Sequence, residues 1–245
     1  MINVGELAYR RVLLKLSGDI LKGDESGGIS FTFLGELADE LAQAHNANLQ
    51  IGIVVGGGNL FRGAEVEKAG YDRIIADNMG MLSTVINALA IQCALEQRHV
   101  ETRVMSAINI QELVEPFIRR RAIRHLEKGR IVIFASGTGN PLFTTDTAAA
   151  LRAYQISAEI ILKGTKVDGV YDCDPETHPD AIRFSEVDYM DVVKRDLKVM
   201  DLTAITFCHD YHVPVEVFDL TKKGNLWRIV CGEKIGTLVK EISRE

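Results

Sequence analysis

Residues 50–63 read Gln50-Ile51-Gly52-Ile53-Val54-Val55-Gly56-Gly57-Gly58-Asn59-Leu60-Phe61-Arg62-Gly63. The first six are a β-branched strand, and the three glycines end it abruptly. A long helical stretch rich in Ala, Leu, Ile and Met follows over 72–97. Strand, glycine turn and helix make one unit of an α/β fold. Working outward, residues 11–16 (RVLLKL) form a preceding strand, and Phe33, Leu34, Leu37, Leu41 and Ala44 recur at helical spacing behind Ser30 or Thr32 as N-cap. Downstream, strands are expected over 102–106, 130–135 and 159–163, and helices over 111–127 (closed by Gly129) and 145–154. The last third is less regular: helices over 188–195 and 200–211, then strands over 214–218 and 237–242 around a segment near Trp227 and Val230. Short strands alternating with helices predict a three-layer αβα sandwich with a mostly parallel central sheet. No repeat or linker interrupts it, so one domain over residues 1–245 is expected.

Composition is that of a soluble globular protein, with 47% hydrophobic and 25% charged residues. A chain of 245 residues buries roughly 70–75% of its unfolded surface and needs no disulfide staples. The four cysteines, Cys93, Cys173, Cys208 and Cys231, form no CxxC pair and read as free thiols in a reducing cytoplasm. The N-terminus lacks the basic start and apolar core of a signal peptide. No apolar run is read as long enough to span a bilayer, so no membrane association is expected. The net charge of −6 argues against a nucleic-acid partner. A basic cluster (Arg119, Arg120, Arg121, Arg124, Lys128) reads as a solvated helix face, with an anion or subunit contact as the alternative.

Ligands of open α/β sheets bind beyond the carboxyl ends of the strands. Here four strand ends carry Gly, hydroxyl and charged residues: 15–19 (KLSGD), 56–63 (GGGNLFRG), 136–146 (SGTGNPLFTTD) and 163–171 (KGTKVDGVY). Three glycines let backbone N–H groups approach an anion, a helix N-terminus favours phosphate, and Arg62 adds a fork of donors. The plain alternative is a tight turn. Lys15 ends an apolar strand, either as a solvated lysine or as a charge for a transferring phosphoryl group. Asp146 is either an N-cap or a carboxylate that orients a lysine or magnesium. Asp77, within a helix, is by default exposed. There is no GxxxxGK[ST], no complete GxGxxG, no Cys/His cluster and no GxSxG.

At these loops the chain resembles the uridylate kinases of bacteria, within the amino-acid kinase superfamily. The likeness runs nearly end to end. It takes in KLSGD at 15–19, GGGNLFRG at 56–63, DNMGML at 77–82, MSAI at 105–108 and GTGNPLFTTD at 137–146. It continues through KGTKVDGVYDCDP at 163–175, LKVMDLTA at 197–204 and GTLV at 236–239. The resemblance implies the amino-acid kinase fold and transfer of the γ-phosphoryl of ATP to UMP with Mg²⁺. By position, Lys15, Leu16, Ser17 and Gly18 would meet the ATP phosphates, and Thr165, Tyr171 and Asp174 the ATP nucleoside. Gly58 and Arg62 would line the transfer region. Gly57 would hold the UMP phosphate and Asp77 its ribose. Thr138, Gly139, Asn140, Pro141, Leu142, Phe143, Thr144 and Thr145 would wrap the acceptor, with Thr138 and Asn140 on the uracil edge. Asp146 would organise Mg²⁺ or the lysine, and Asp201 would be a second such carboxylate.

The resemblance further implies a cytoplasmic homohexamer with UTP as feedback inhibitor. Regulation is linked to the loop Gly23, Asp24, Glu25, Ser26, Gly27, Gly28 and to Arg103 and Arg130. The chain departs from the pattern at Asp19 (usually Glu) and Gly164 (commonly Ala). Gln92 and Glu96 stand where some members carry basic residues associated with GTP activation, which puts a GTP effect in doubt. Alternatives are a superfamily kinase acting on a carboxylate or carbamate, an oxyanion-storage protein of the same fold, or a regulatory module. The six scattered histidines (His45, His99, His125, His178, His209, His212) argue against storage.

Overall fold

The computed structural model describes residues 7–242 apart from 63–65, 67–68, 176 and 179. The signal-peptide reading of the first residues and the role of Gly63 lie outside the described residues. One sheet runs through the protein, built from β1 (Arg11–Leu16), β2 (Gln50–Val55), β3 (Thr102–Ser106), β4 (Glu115–Pro116), β5 (Ile131–Ala135), β6 (Ile160–Thr165), β7 (Glu186–Asp188), β8 (Val215–Asp219) and β9 (Thr237–Lys240). Its order is β4-β3-β5-β2-β1-β6-β8-β9-β7, parallel except where β9 runs antiparallel to β8. The described helices are α1 (Gly18–Leu21), α2 (Phe31–Asn46), α3 (Arg73–Glu96), α4 (Arg119–Glu127), α5 (Thr145–Ile156), α6 (Tyr189–Lys194), α7 (Leu202–Asp210) and α8 (Asn225–Val230).

Alternation along β1 sorts the layers. Val12, Leu14 and Leu16 enter the core under α2, α3 and α8, while Leu13 enters the core under α4, α5, α6 and α7. In β6, Ile160 and Leu162 face the first core and Ile161 the second. Strands buried on both faces read as continuous apolar runs, because βα crossovers place helices above and below. The same period of two puts Lys15 and Lys163 on the α5 side. The two lysines are register partners on adjacent parallel strands. The face of α5 against the sheet is Ala148, Ala149, Ala153 and Ile156, all buried, so small side chains bring this helix close to the strand ends.

Helix starts follow capping chemistry. Ser30, not Thr32, caps α2 by accepting from Phe33 N. Asp72 caps α3, and Thr144 caps α5 by accepting from Asp146 N at 3.0 Å. Asp146 is therefore not the cap, and its carboxylate is left for other work.

Three sequence expectations need correction. The helix expected over 111–127 begins only at Arg119, because Glu115-Pro116 pairs with β3 and a proline disfavours helix before it. β7 was absent from the sequence reading. And α3 holds 18 residues without a charge, so by length and composition it could cross a bilayer; one side of it (Val85, Ala88, Ile91, Leu95) packs into the core.

Candidate active site

Asp146 sits at the centre, in the first turn of α5. Lys15 Nζ lies 2.7 Å from its Oδ1 and Lys163 Nζ 3.1 Å from its Oδ2. Lys163 also donates to the Val199 carbonyl. The carboxylate is only 16% exposed. Burial pushes the Asp146 pKa up, but the charges of Lys15 and Lys163 outweigh it and hold the carboxyl below its ordinary value. Lys163 is shifted down from the usual lysine value, first by burial, then by the charge of Lys15, with Asp146 opposing both. Two ammonium groups on one carboxylate leave a net positive centre at the sheet's carboxyl edge, which suits an anion.

Lys163 was not among the sequence candidates. The signal was present, since two strand-end lysines flank apolar runs of equal length, but only the β1–β6 register shows that they share a face. Asp201, expected as a second catalytic carboxylate, is the N-cap of α7. It accepts from Ala204 N at 2.9 Å, from Thr147 Oγ1 at 3.1 Å and from Thr144 Oγ1. It ties the start of α5 to α7 and so holds Asp146 in place.

The glycine turn packs directly on α1. A Cβ on Gly18 would lie 2.4 Å from Gly58 N, and one on Gly57 would lie 2.8 Å from the Gly80 carbonyl. Both glycines are needed for the close approach of these backbones. Arg62 donates to the Gly58 carbonyl (3.2 Å) and pairs with Asp19 at 2.5 Å. The shorter Asp19 thus still reaches Arg62, and Ser17 precedes α1 without a side-chain cap bond.

Beside this turn lies a cavity of about 250 Å³. Of the acceptor candidates it is lined by Gly57, Asp77, Asn140, Leu142, Phe143, Thr144 and Thr145, and also by Phe61, Arg73, Met81, Thr84 and Gly137. Thr138, Gly139 and Pro141 belong to the same loop but do not line it. Thr138 Oγ1 bonds the backbone of Asn140 at 3.2 Å. Helix α3 fixes two loops at once, the 136–146 loop at two points and the glycine turn at one. Asp77 accepts from Leu142 N (2.8 Å), Thr84 Oγ1 accepts from Ser136 N (2.7 Å), and Asn87 donates to the Gly56 carbonyl (2.7 Å). Asp77, by default an exposed residue, is therefore a bridge, and Arg73 pairs with it at 3.0 Å.

The remaining donor-side candidates follow β6. Thr165 Oγ1 bonds the Val167 and Phe218 carbonyls. The Tyr171 hydroxyl donates to Asp168 at 2.7 Å, and Asp174 accepts backbone N–H groups of the following turn. In sheet order the acceptor cavity belongs to β2 and β5, and these residues to β6, with Lys15 of β1 between.

The regulatory candidates that line clefts are spread over three of them. Gly23, Asp24 and Glu25 line one with Lys166, and Ser26 lines a smaller one with Arg62; Gly28 is held to Asn59. Arg103 lines another with Gln92 and Glu115. Arg130 is taken up by Glu101 at 2.7 Å and by His125. Gln92 donates to Glu96 at 2.9 Å.

Among the described residues no three His, Cys, Asp or Glu side chains converge as a metal cage. Asp146 Oδ1 is buried with Lys15 Nζ at 2.7 Å, and a carboxylate oxygen has lone pairs for more than one partner. One carboxylate oxygen suits a Mg²⁺ that completes its shell with phosphate oxygens.

Comparison with known proteins shows the family. The amino acid kinase family model matches residues 10–219. A uridylate kinase of Xanthomonas oryzae pv. oryzae is 55% identical over 237 residues, 97% of this chain and 99% of the relative. The crystal structure of UMP kinase from Bacillus anthracis superposes with a TM-score of 0.93 at 38% identity, covering 96% of this chain and 97% of that one. The UMP kinase from Ureaplasma parvum gives 0.90 at 36%, covering 95% and 99%. The chain belongs to the amino acid kinase family, in its uridylate kinase branch.

Proposed function

We propose that the protein is a nucleoside monophosphate kinase that transfers the γ-phosphoryl group of MgATP to the 5′-phosphate of UMP, giving ADP and UDP. The observation that carries the reading is the pair Lys15 and Lys163 on Asp146, set between the acceptor cavity and the β6 loops. UMP brings a nucleophile that is already ionised, so no general base is needed. Positioning and charge neutralisation do the work, and positioning alone supplies ~7–11 kcal/mol.

In this reading Gly57 N–H and the glycine turn receive the UMP phosphate, Asp77 the ribose, and the 137–145 loop the base. Lys15, Ser17 and Gly18 receive the ATP phosphates, and Thr165, Tyr171 and Asp174 its nucleoside. Lys15 and Lys163 spread the charge of the transferring group, Arg62 swings from Asp19 to join them, and Asp146 keeps both lysines aimed. Asp146 and the nucleotide phosphates would hold Mg²⁺, which would supply further charge neutralisation. Asp201 is a positioning residue. We place the enzyme in the cytoplasm as a homohexamer inhibited by UTP. Glu101, paired with Arg130 and near Arg103, and Glu96, bonded by Gln92, favour little response to GTP. Incubating the protein with ATP, Mg²⁺ and UMP and following phosphorus resonances tests the reading. UDP and ADP appearing in equal amounts are expected; ATP loss that is independent of UMP refutes it.

A further inference from the structure

Arg152 of α5 is 4% exposed, yet it has no carboxylate partner among the described residues. Burial lowers its pKa to about 10, so it stays charged at neutral pH. An unpaired buried cation is costly, and an apolar side chain of similar length would fill the space more favourably. Packing therefore does not account for it; its contacts do. Nη1 donates to Gln155 Oε1 at 2.6 Å, the guanidinium carbon lies 3.9 Å from the centroid of the Phe117 ring, and Nη2 donates to the Gly137 carbonyl at 3.2 Å.

Gly137 lines the acceptor cavity. It and Ser136 turn the chain with φ of 55° and 61°, both left-handed, a conformation that a serine holds only when its surroundings impose it. Ser136 is imposed from two sides, by Thr84 at its N–H and by Ser106 at its hydroxyl. On Gly137 the only side-chain bond among the described residues comes from Arg152. A guanidinium clamped by Phe117 and Gln155 has little freedom left, so it fixes the carbonyl that it holds.

We propose that Arg152 is a positioning residue for the acceptor: through the Gly137 carbonyl it sets the 136–145 loop in its UMP-binding shape while leaving the ATP side untouched. This rests on the reading that UMP occupies the cavity beside Gly57.

The test is steady-state kinetics of wild type, Arg152→Met and Arg152→Lys, with KM measured separately for UMP and ATP, and a melting curve for each. Arg152→Met removes the buried charge and is expected to stay folded, with KM for UMP raised about tenfold, the loss of one charge-assisted hydrogen bond, and KM for ATP within about twofold. Arg152→Lys keeps the charge but not the planar fork, and KM for UMP should rise less than in Arg152→Met. A merely structural arginine would lower the melting temperature and move both KM values together, and that result overturns the proposal. So does an unchanged KM for UMP in a folded variant. If Arg152→Met fails to fold, the UMP-to-ATP ratio of KM changes in Arg152→Lys decides by the same criterion. A wild type that does not phosphorylate UMP would refute the functional reading itself, a result distinct from an active wild type with unaffected variants.

Discussion

Replacing Asp146 by Asn keeps the shape of the side chain and removes its charge, leaving Lys15 and Lys163 facing each other across an amide. At 2.7 Å and 3.1 Å and an effective dielectric constant of about 20, the lost attractions are about 6 and about 5 kcal/mol before desolvation and lysine–lysine repulsion are counted. What survives those offsets when a buried pair is broken is about 3–5 kcal/mol, a large part of the ~5–15 kcal/mol that holds a domain folded. The penalty should depend on pH. The Lys163 pKa is already lowered by burial and Lys15, with Asp146 pulling the other way, so removing Asp146 lowers it further. The variant then relieves itself by releasing the Lys163 proton, and its deficit against wild type shrinks as pH rises toward about 10, the ordinary lysine range.

In acid the deficit shrinks again. The folded Asp146 pKa is depressed, so its stabilisation is full above the unfolded carboxylate value of about 4 and is lost as pH falls through the folded value. Urea unfolding of both proteins from about pH 2 to 10 should therefore show the full deficit between about pH 5 and neutrality and a smaller one at either extreme, with turnover reduced about 10²–10³-fold. A deficit that is flat across this range, or near wild-type turnover, would refute the two-lysine account of the site.

Lys15→Ala should cut turnover by at least about 10²-fold while the circular dichroism spectrum stays native; turnover close to wild type would remove Lys15 from the mechanism. Added GTP should change turnover by less than about twofold, because Gln92 bonds Glu96 and Arg130 is already paired with Glu101. A rise of about fivefold, the low end of ordinary allosteric coupling, would show that Arg103 alone suffices to recruit the effector.

The strand-end loops were legible because each is punctuation between an apolar run and a helix, a local signal. Gly56–Gly58, Lys15 and the 137–146 loop all stand at strand ends as expected. What escaped depends on partners distant in the chain. Lys163 joins the site through a register of β1 against β6, which no single segment encodes. Asp146 and Thr144 both look like caps, and only the fold decides that Thr144 takes the backbone. Asp201 shows no local sign of its bonds to Thr144 and Thr147, 57 and 54 residues away. The misplaced helix over 111–118 came from weighing periodicity above Pro116, whose ring favours the extended conformation that pairs with β3.

The central claim is that the cavity beside Gly57 selects uridylate. A coupled phosphotransfer assay with UMP, CMP and dTMP as acceptors, at fixed MgATP, tests it most directly. The account predicts kcat/KM for UMP above that for CMP by about 10²-fold or more, as expected of a site whose polar groups read the base edge. Equal values for UMP and CMP would contradict it.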